Sequence, residues 1–195
     1  MKDILVVDAT RSPIGTGIAK YPIIRSALLS LSPQDLALQV LNASFKKTKI
    51  PPAAVDVFRV GSNVSLKSDY FKQAPDREIA LLAGMDNASS NISQKACSSG
   101  LLAVAEASYA IRHGGADLAV GMGLDMMCNV PDSANIGALT CPITKKSMAE
   151  LSDQKARELF TREDYDKYAD ESYKRAREHF NDYKLAGYLA PIFTA

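Results

Sequence analysis

Four short runs with strand character, separated by segments of helical spacing, constrain the first 122 residues more than any other feature. Ile4-Leu5-Val6-Val7-Asp8 is continuous and apolar, as in a strand covered on both faces. The stretch from Val55 to Gly61 alternates and reads as a second strand, Ser89 to Ala96 as a third, and Asp117 to Met122 as a fourth, buried one. Between the first two, Ser32-Pro33 supplies an N-cap and a proline at the first helical position. Leu36, Val40, Leu41 and Phe45 follow at helical spacing and predict a helix over 33–47. Pro75 opens a short helix that Gly84 ends, and residues 101–112 form an apolar, small-residue helix with Gly114 placed to close it. Strand and helix thus alternate three times before a last strand, which argues for a layered α/β domain with a largely parallel sheet.

Beyond Met122 the character changes. A loop rich in Met, Pro and Asn leads to two expected helices, about 148–159 and 162–180. Residues 145–184 carry 10 basic and 10 acidic side chains in 40 positions, so these helices read as exposed and laced with ion pairs. Thr161 with Asp164 has the spacing of a capping box. Tyr165, Tyr168, Ala169, Tyr173 and Ala176 give the second helix one apolar stripe. The expected division is therefore 1–122 for an α/β domain and 123–195 for a helical one.

Composition excludes several function classes. Lys and Arg total 23 against 22 Asp and Glu, so there is no electrostatic case for nucleic acid or an anionic membrane. No apolar run is long enough for a membrane span. The opening MKDILVVD has no secretory or transit pattern, and three widely spaced cysteines fit neither a disulfide framework nor a metal cluster. A reducing, cytoplasmic setting is the expectation, with no metal and no resident cofactor.

Cys97 is the centre of chemical interest. It lies between an expected strand and an expected helix in Gln94-Lys95-Ala96-Cys97-Ser98-Ser99-Gly100. A strand-to-helix corner presents its side chain at the C-terminal edge of the sheet, where α/β proteins keep their active sites. The helix N-terminus there favours an anion, and a thiolate is the nucleophilic form of cysteine. Ala96, Ser98, Ser99 and Gly100 are small enough for close approach of backbone and substrate. A buried structural cysteine is the competing reading.

The stretch QKACSSGLLAVAEASYAIRHGGADLAVGMGLDMMCNVP resembles the nucleophile segment of the thiolases. That family places an active cysteine in a C-x-S-G context at the start of a buried helix, followed by a Gly-Ala-Asp turn, an apolar strand and an M-S-N-V-P-like turn. Further matches run in order along the chain. Asp8-Ala9-Thr10-Arg11-Ser12-Pro13-Ile14-Gly15 resembles the opening loop. Gln73-Ala74-Pro75, Arg77 and Ala80-Leu81-Leu82-Ala83-Gly84 resemble the helix before the nucleophile strand. Thr161-Arg162-Glu163, Asp166, Tyr168-Ala169, Ser172 and Arg175-Ala176 resemble helical parts of the loop domain that covers the acyl-CoA.

The resemblance implies one half of the layered thiolase fold, a mixed and largely parallel sheet covered by helices, plus part of the helical loop domain. It implies acyl transfer from coenzyme A thioesters through an acyl-cysteine at Cys97, whose backbone N–H serves as one oxyanion donor. Acyl-CoA and coenzyme A are then substrates, and the partners are a second copy or a complementary C-terminal half. The resemblance also implies a place in lipid metabolism. The family's Gly-His-Pro, Asn-Glu-Ala-Phe and Cys-x-Gly motifs are not in these 195 residues. His113 reads as a helix-terminal residue and His179 as a solvated one, while Cys128 and Cys141 read as structural. Met126 and Met127 line an acyl pocket on one reading and pack in the core on the other, and Ser98 is a weaker candidate for substrate contact. Asp125 either orients backbone near the site or is a turn residue, and Arg11 either meets a phosphate or holds its loop. Two other functions compete: a catalytically incomplete acyl-CoA-binding or scaffold module, and a ketoacyl synthase-like condensing enzyme. The match of 161–176 to the thiolase loop domain speaks against the second.

Overall fold

The computed structural model describes residues 2–15, 27–63, 74–127, 136–137, 139–185 and 187–194. It divides into two compact units, Met1–Pro131 with Leu189–Ala195, and Asp132–Tyr188.

The first unit is built on a three-stranded, fully parallel sheet of β1 (Val57–Gly61), β2 (Ser89–Ser93) and β3 (Ala119–Gly123), with spatial order β2-β1-β3. Helix α1 (Pro33–Thr48) precedes the sheet, and α2 (Pro75–Leu82) and α3 (Ser99–Arg112) connect β1 to β2 and β2 to β3. From α1 onward the strand–helix alternation read from the sequence is present, and the fold is α/β. Local chemistry explains the boundaries. The Ser32 hydroxyl accepts from the Asp35 N–H, the Asp35 carboxylate accepts from the Ser32 N–H, and Pro33 occupies the first turn of α1. Gly84 and Gly114 take left-handed φ of 81° and 78° just past α2 and α3. The core gathers Leu36, Leu41, Phe58, Val60, Ile79 and Met85 between α1, α2 and the sheet.

Two strand expectations need correction. Ile4–Asp8 forms no strand, and Leu5, Val6 and Val7 stay 84%, 85% and 64% exposed. A strand needs a sheet edge beside it. This segment is instead tied to helices at both ends. The Lys2 N–H donates to the Arg112 carbonyl at the end of α3, and the Asp8 carboxylate is held by Ser44 and Lys47 on α1, each at 2.6 Å. The third strand stops at Ser93 rather than Ala96, because residues 94–98 form the turn that carries Cys97 into α3.

The second unit is helical: α4 (Met148–Ala156), α5 (Arg162–Glu178) and α6 (Phe180–Leu185). Reciprocal capping boxes, Ser147 with Glu150 and Thr161 with Asp164, start α4 and α5. None of its described residues is buried. No described helix is long and apolar enough to cross a membrane.

Candidate active site

The C-terminal ends of the three strands lie in register, with Gly61 of β1 opposite Ser93 of β2 and Gly123 of β3. The first turn of α3 rests directly on this row. A Cβ on Gly61 would fall 2.1 Å from the Ser99 carbonyl oxygen, and Gly100 meets the Gly123 Cα at 3.3 Å from its own would-be Cβ. Farther along, a Cβ on Gly121 would fall 2.7 Å from the Val104 Cα. Helix α3 thus packs backbone-on-backbone against β1 and β3. Gly123 pairs with Gly61 across the β1–β3 register and Gly121 with Arg59, so the close approach of α3 falls on glycines that the sequence reading did not single out.

Cys97 sits where the sequence placed it, in the turn between β2 and α3, exposed and with no disulfide partner. Ala96, immediately before it, has a left-handed φ of 48°. That conformation is costly for a residue with a Cβ and marks a locally enforced turn. The Ser98 N–H donates to the Lys95 carbonyl and the Ser99 N–H to the Ala96 carbonyl, closing the turn on either side of the thiol. No described residue accepts a hydrogen bond from the Cys97 N–H. Ser98 is the exposed N-cap of α3 and makes no side-chain cap bond, whereas Ser99 is 2% exposed and fully engaged.

Around this turn the sheet edge is held by polar bonds. The Asp125 carboxylate accepts from the Ser62 hydroxyl at 3.1 Å and the Asn63 N–H at 2.9 Å, fastening the end of β3 to the end of β1. Of the two readings of Asp125, these bonds fit the orienting one. Ser93 is hydrogen-bonded to Glu106 of α3, and the Gln94 side chain donates to the Asn63 carbonyl.

The remaining candidates fall elsewhere. Met126 is 4% exposed and belongs to the core, while Met127 is exposed. Both border a groove of about 430 Å³ with Arg11, Pro13, Leu36 and Asp125, a groove that Cys97 does not line. Arg11 donates to the Ser12 carbonyl, and its own carbonyl accepts from the Ala190 N–H. His113 is the C-cap of α3, its Nδ1 2.9 Å from the Tyr109 carbonyl. A helix of 14 residues separates it from Cys97, about 20 Å at the usual rise. His179 caps α5 and pairs with Asp182 at 2.9 Å. Cys141 lies in a turn where the Thr144 hydroxyl, then the Thr144 and Ile143 N–H groups, hold its thiol below the ordinary cysteine range. Gln73, Cys128 and the Asn129–Pro131 turn lie outside the described residues. Among the described residues no group of three or more His, Cys, Asp or Glu side chains is placed to hold a metal ion.

Comparison with known proteins places this arrangement. The family model described as "Thiolase, N-terminal domain" matches residues 4–195. Among curated relatives, an acetyl-CoA acetyltransferase of Yarrowia lipolytica is 29% identical over 96% of this chain and 49% of its own length. The mitochondrial acetyl-CoA acetyltransferase of Rattus norvegicus is 29% identical over 98% of this chain and 47% of its own. Among solved structures, a thiolase from Ascaris suum in complex with coenzyme A superposes with a TM-score of 0.84 at 26% identity, covering 98% of this chain and 52% of that one. The acetyl-CoA acetyltransferase of Bacillus anthracis gives 0.79 at 26% identity over 96% of this chain and 50% of its own. The chain spans about half the length of the curated relatives it matches.

Proposed function

The chain belongs to the thiolase family, in its N-terminal domain, and from that premise we propose that it supplies the nucleophile for acyl transfer between coenzyme A thioesters. In this reading the Cys97 thiolate attacks the thioester carbonyl, the carbon–sulfur bond to coenzyme A breaks, and coenzyme A leaves as a thiolate that takes up a proton. The acyl group then passes from Cys97 to a second acceptor. Splitting the transfer this way replaces one difficult step by two easier ones. The observation that carries the proposal is the turn itself: an exposed thiol with no disulfide partner, behind a left-handed Ala96, at the N-terminus of a helix seated on the C-terminal edge of the sheet. The Cys97 N–H, which donates to no described residue, is the proposed oxyanion donor. Ser98 and Met127, both exposed, are kept as secondary candidates for substrate contact, and Met126 as one that acts from the core.

Thiol activation needs a base, and both histidines are engaged at helix C-termini. We therefore assign the base to a complementary C-terminal half, which also makes that half, or a second copy of this chain, the expected partner. The same observation favours the second reading, an acyl-CoA-binding or scaffold module without turnover. The cytoplasm is the compartment we propose, on the free thiols of Cys97 and Cys141.

Intact-mass spectrometry after incubation with acetyl-CoA tests the proposal. One acetyl group added to the wild type and absent from Cys97→Ser is the expected result. A wild type that takes up no acetyl group, even with a C-terminal thiolase half added, would transfer the weight to the scaffold reading.

A further inference from the structure

We propose that Ser99, not its neighbour Ser98, is the positioning residue for Cys97. This rests on the acyl-transfer reading of Cys97 and deepens it. Ser99 is one of four buried polar or charged residues among those described, and it is 2% exposed. Its hydroxyl accepts from the Lys95 N–H at 2.8 Å and donates to the Ala96 carbonyl at 2.7 Å, so both capacities of the group are used within one turn. Its backbone N–H donates to the same Ala96 carbonyl at 3.1 Å. The side chain therefore spans Lys95, Ala96 and the first helical residue, and Cys97 is the residue left projecting from the closed loop. Ala96 at φ 48° is disfavoured for an alanine unless its surroundings hold it there, and both bonds to its carbonyl come from Ser99. The lock continues into the sheet. The Ser99 carbonyl is the atom that a Cβ on Gly61 would strike at 2.1 Å, so Ser99 is seated against β1 while its side chain holds the turn. Ser98 has none of this: it is exposed and makes no side-chain cap bond.

The mechanical consequence is that a removed hydroxyl frees the Lys95 N–H and lets Ala96 relax toward ordinary backbone angles. The thiol then loses its fixed direction relative to the helix N-terminus. The effect reaches the reaction only through Cys97.

The test follows acylation of Cys97 by p-nitrophenyl acetate, which reports the reactivity of the exposed thiolate without coenzyme A recognition, in a Cys128→Ser, Cys141→Ser background. Ser99→Ala is expected to slow the Cys97-dependent release of nitrophenolate at least tenfold, with Ser99→Thr within about threefold of the parent. A Ser99→Ala rate equal to the parent's overturns the inference, whatever acetyl-CoA does. An intact Ser99 effect with the ester, beside no acetylation by acetyl-CoA even with a C-terminal thiolase half added, sinks the acyl-transfer reading and leaves the inference standing. Hydrogen exchange of the unmodified chain covers the case in which Ser99→Ala does not fold. The Lys95 amide, outside any strand or helix, is expected to exchange at least tenfold more slowly than a free peptide. Exchange at the free-peptide rate overturns the inference as well.

Discussion

Asp8 is the most tightly held carboxylate among the described residues. Burial by itself would raise its pKa, but Lys47, Ser44 and Thr10 hydrogen-bond to it and win, bringing it down to about 2 from 3.8. A carboxyl group whose pKa is lowered on folding contributes stability above its unfolded value, and that contribution is lost as pH falls through the folded value. The window here is pH 4 to 2. A shift of that size corresponds to about 2 kcal/mol. Asp8→Asn is expected to remove roughly that much stability at pH 7 and to flatten the acid limb of a urea-midpoint profile between pH 4 and 2. An unchanged acid limb would mean that the Lys47–Asp8 pair adds nothing. The residue scale also shows where a motif is readable and where it is not. Cys97 was legible because its small, polar neighbours occupy a strand-to-helix corner. The roles of Ser98 and Ser99 were not, because which of two adjacent serines turns inward depends on the φ of Ala96.

Elements were legible where their signals are local. The helix starts at Ser32-Pro33, Pro75 and Thr161 appear at the expected positions, the first and last because a capping box is satisfied within four residues of itself, the second because proline suits the first helical turn. How closely α3 approaches the sheet was not legible, because Gly61, Gly100, Gly121 and Gly123 come together only across the β1–β3 register. That contact gives a graded prediction. Gly61→Ala drives a Cβ to 2.1 Å from a backbone oxygen that cannot swing aside, and overpacking of this kind costs about 1–3 kcal/mol or more. At Gly115 the nearest atom to a new Cβ is 3.5 Å away, so the same substitution should stay within about 0.5 kcal/mol. Chemical denaturation of the two variants side by side checks the ranking. Equal midpoints would mean that α3 shifts outward at no cost.

At the scale of the whole molecule, the first unit leaves an unusual amount of apolar surface in water. Leu5 and Val6 of the opening segment are 84% and 85% exposed, and Leu101 on the outer face of α3 is 75% exposed, with Val104 and Tyr109 also exposed. Soluble monomers rarely leave such groups uncovered without a partner. Concentration-dependent association is therefore expected in sedimentation velocity, and Leu101→Glu with Val104→Glu should shift the distribution toward monomer. A wild type that stays monomeric at high micromolar concentration would count against a partner on this face. The second unit holds itself differently, through capping boxes and i,i+4 ion pairs such as Arg162–Asp166 and Arg175–Glu171, each worth only a few tenths of a kcal/mol and weakened by salt.

The amino-acid sequence alone determined the alternation of strand and helix, the helix starts, the glycine stops and the corner that carries Cys97. All of these are decided by residues a few positions apart, where hydrogen bonds and backbone sterics act without help from the rest of the chain. Only the tertiary structure decided that Ile4–Asp8 is tied to helices rather than placed in the sheet, that Ser99 and not Ser98 closes the turn carrying Cys97, and that α3 meets the sheet through glycine. Those outcomes depend on partners 30 to 115 residues away, such as Ser44 for Asp8, Gly61 for Ser99 and Asp117 for Lys2. An apolar run carries the same strand propensity whether or not a sheet edge is available to it.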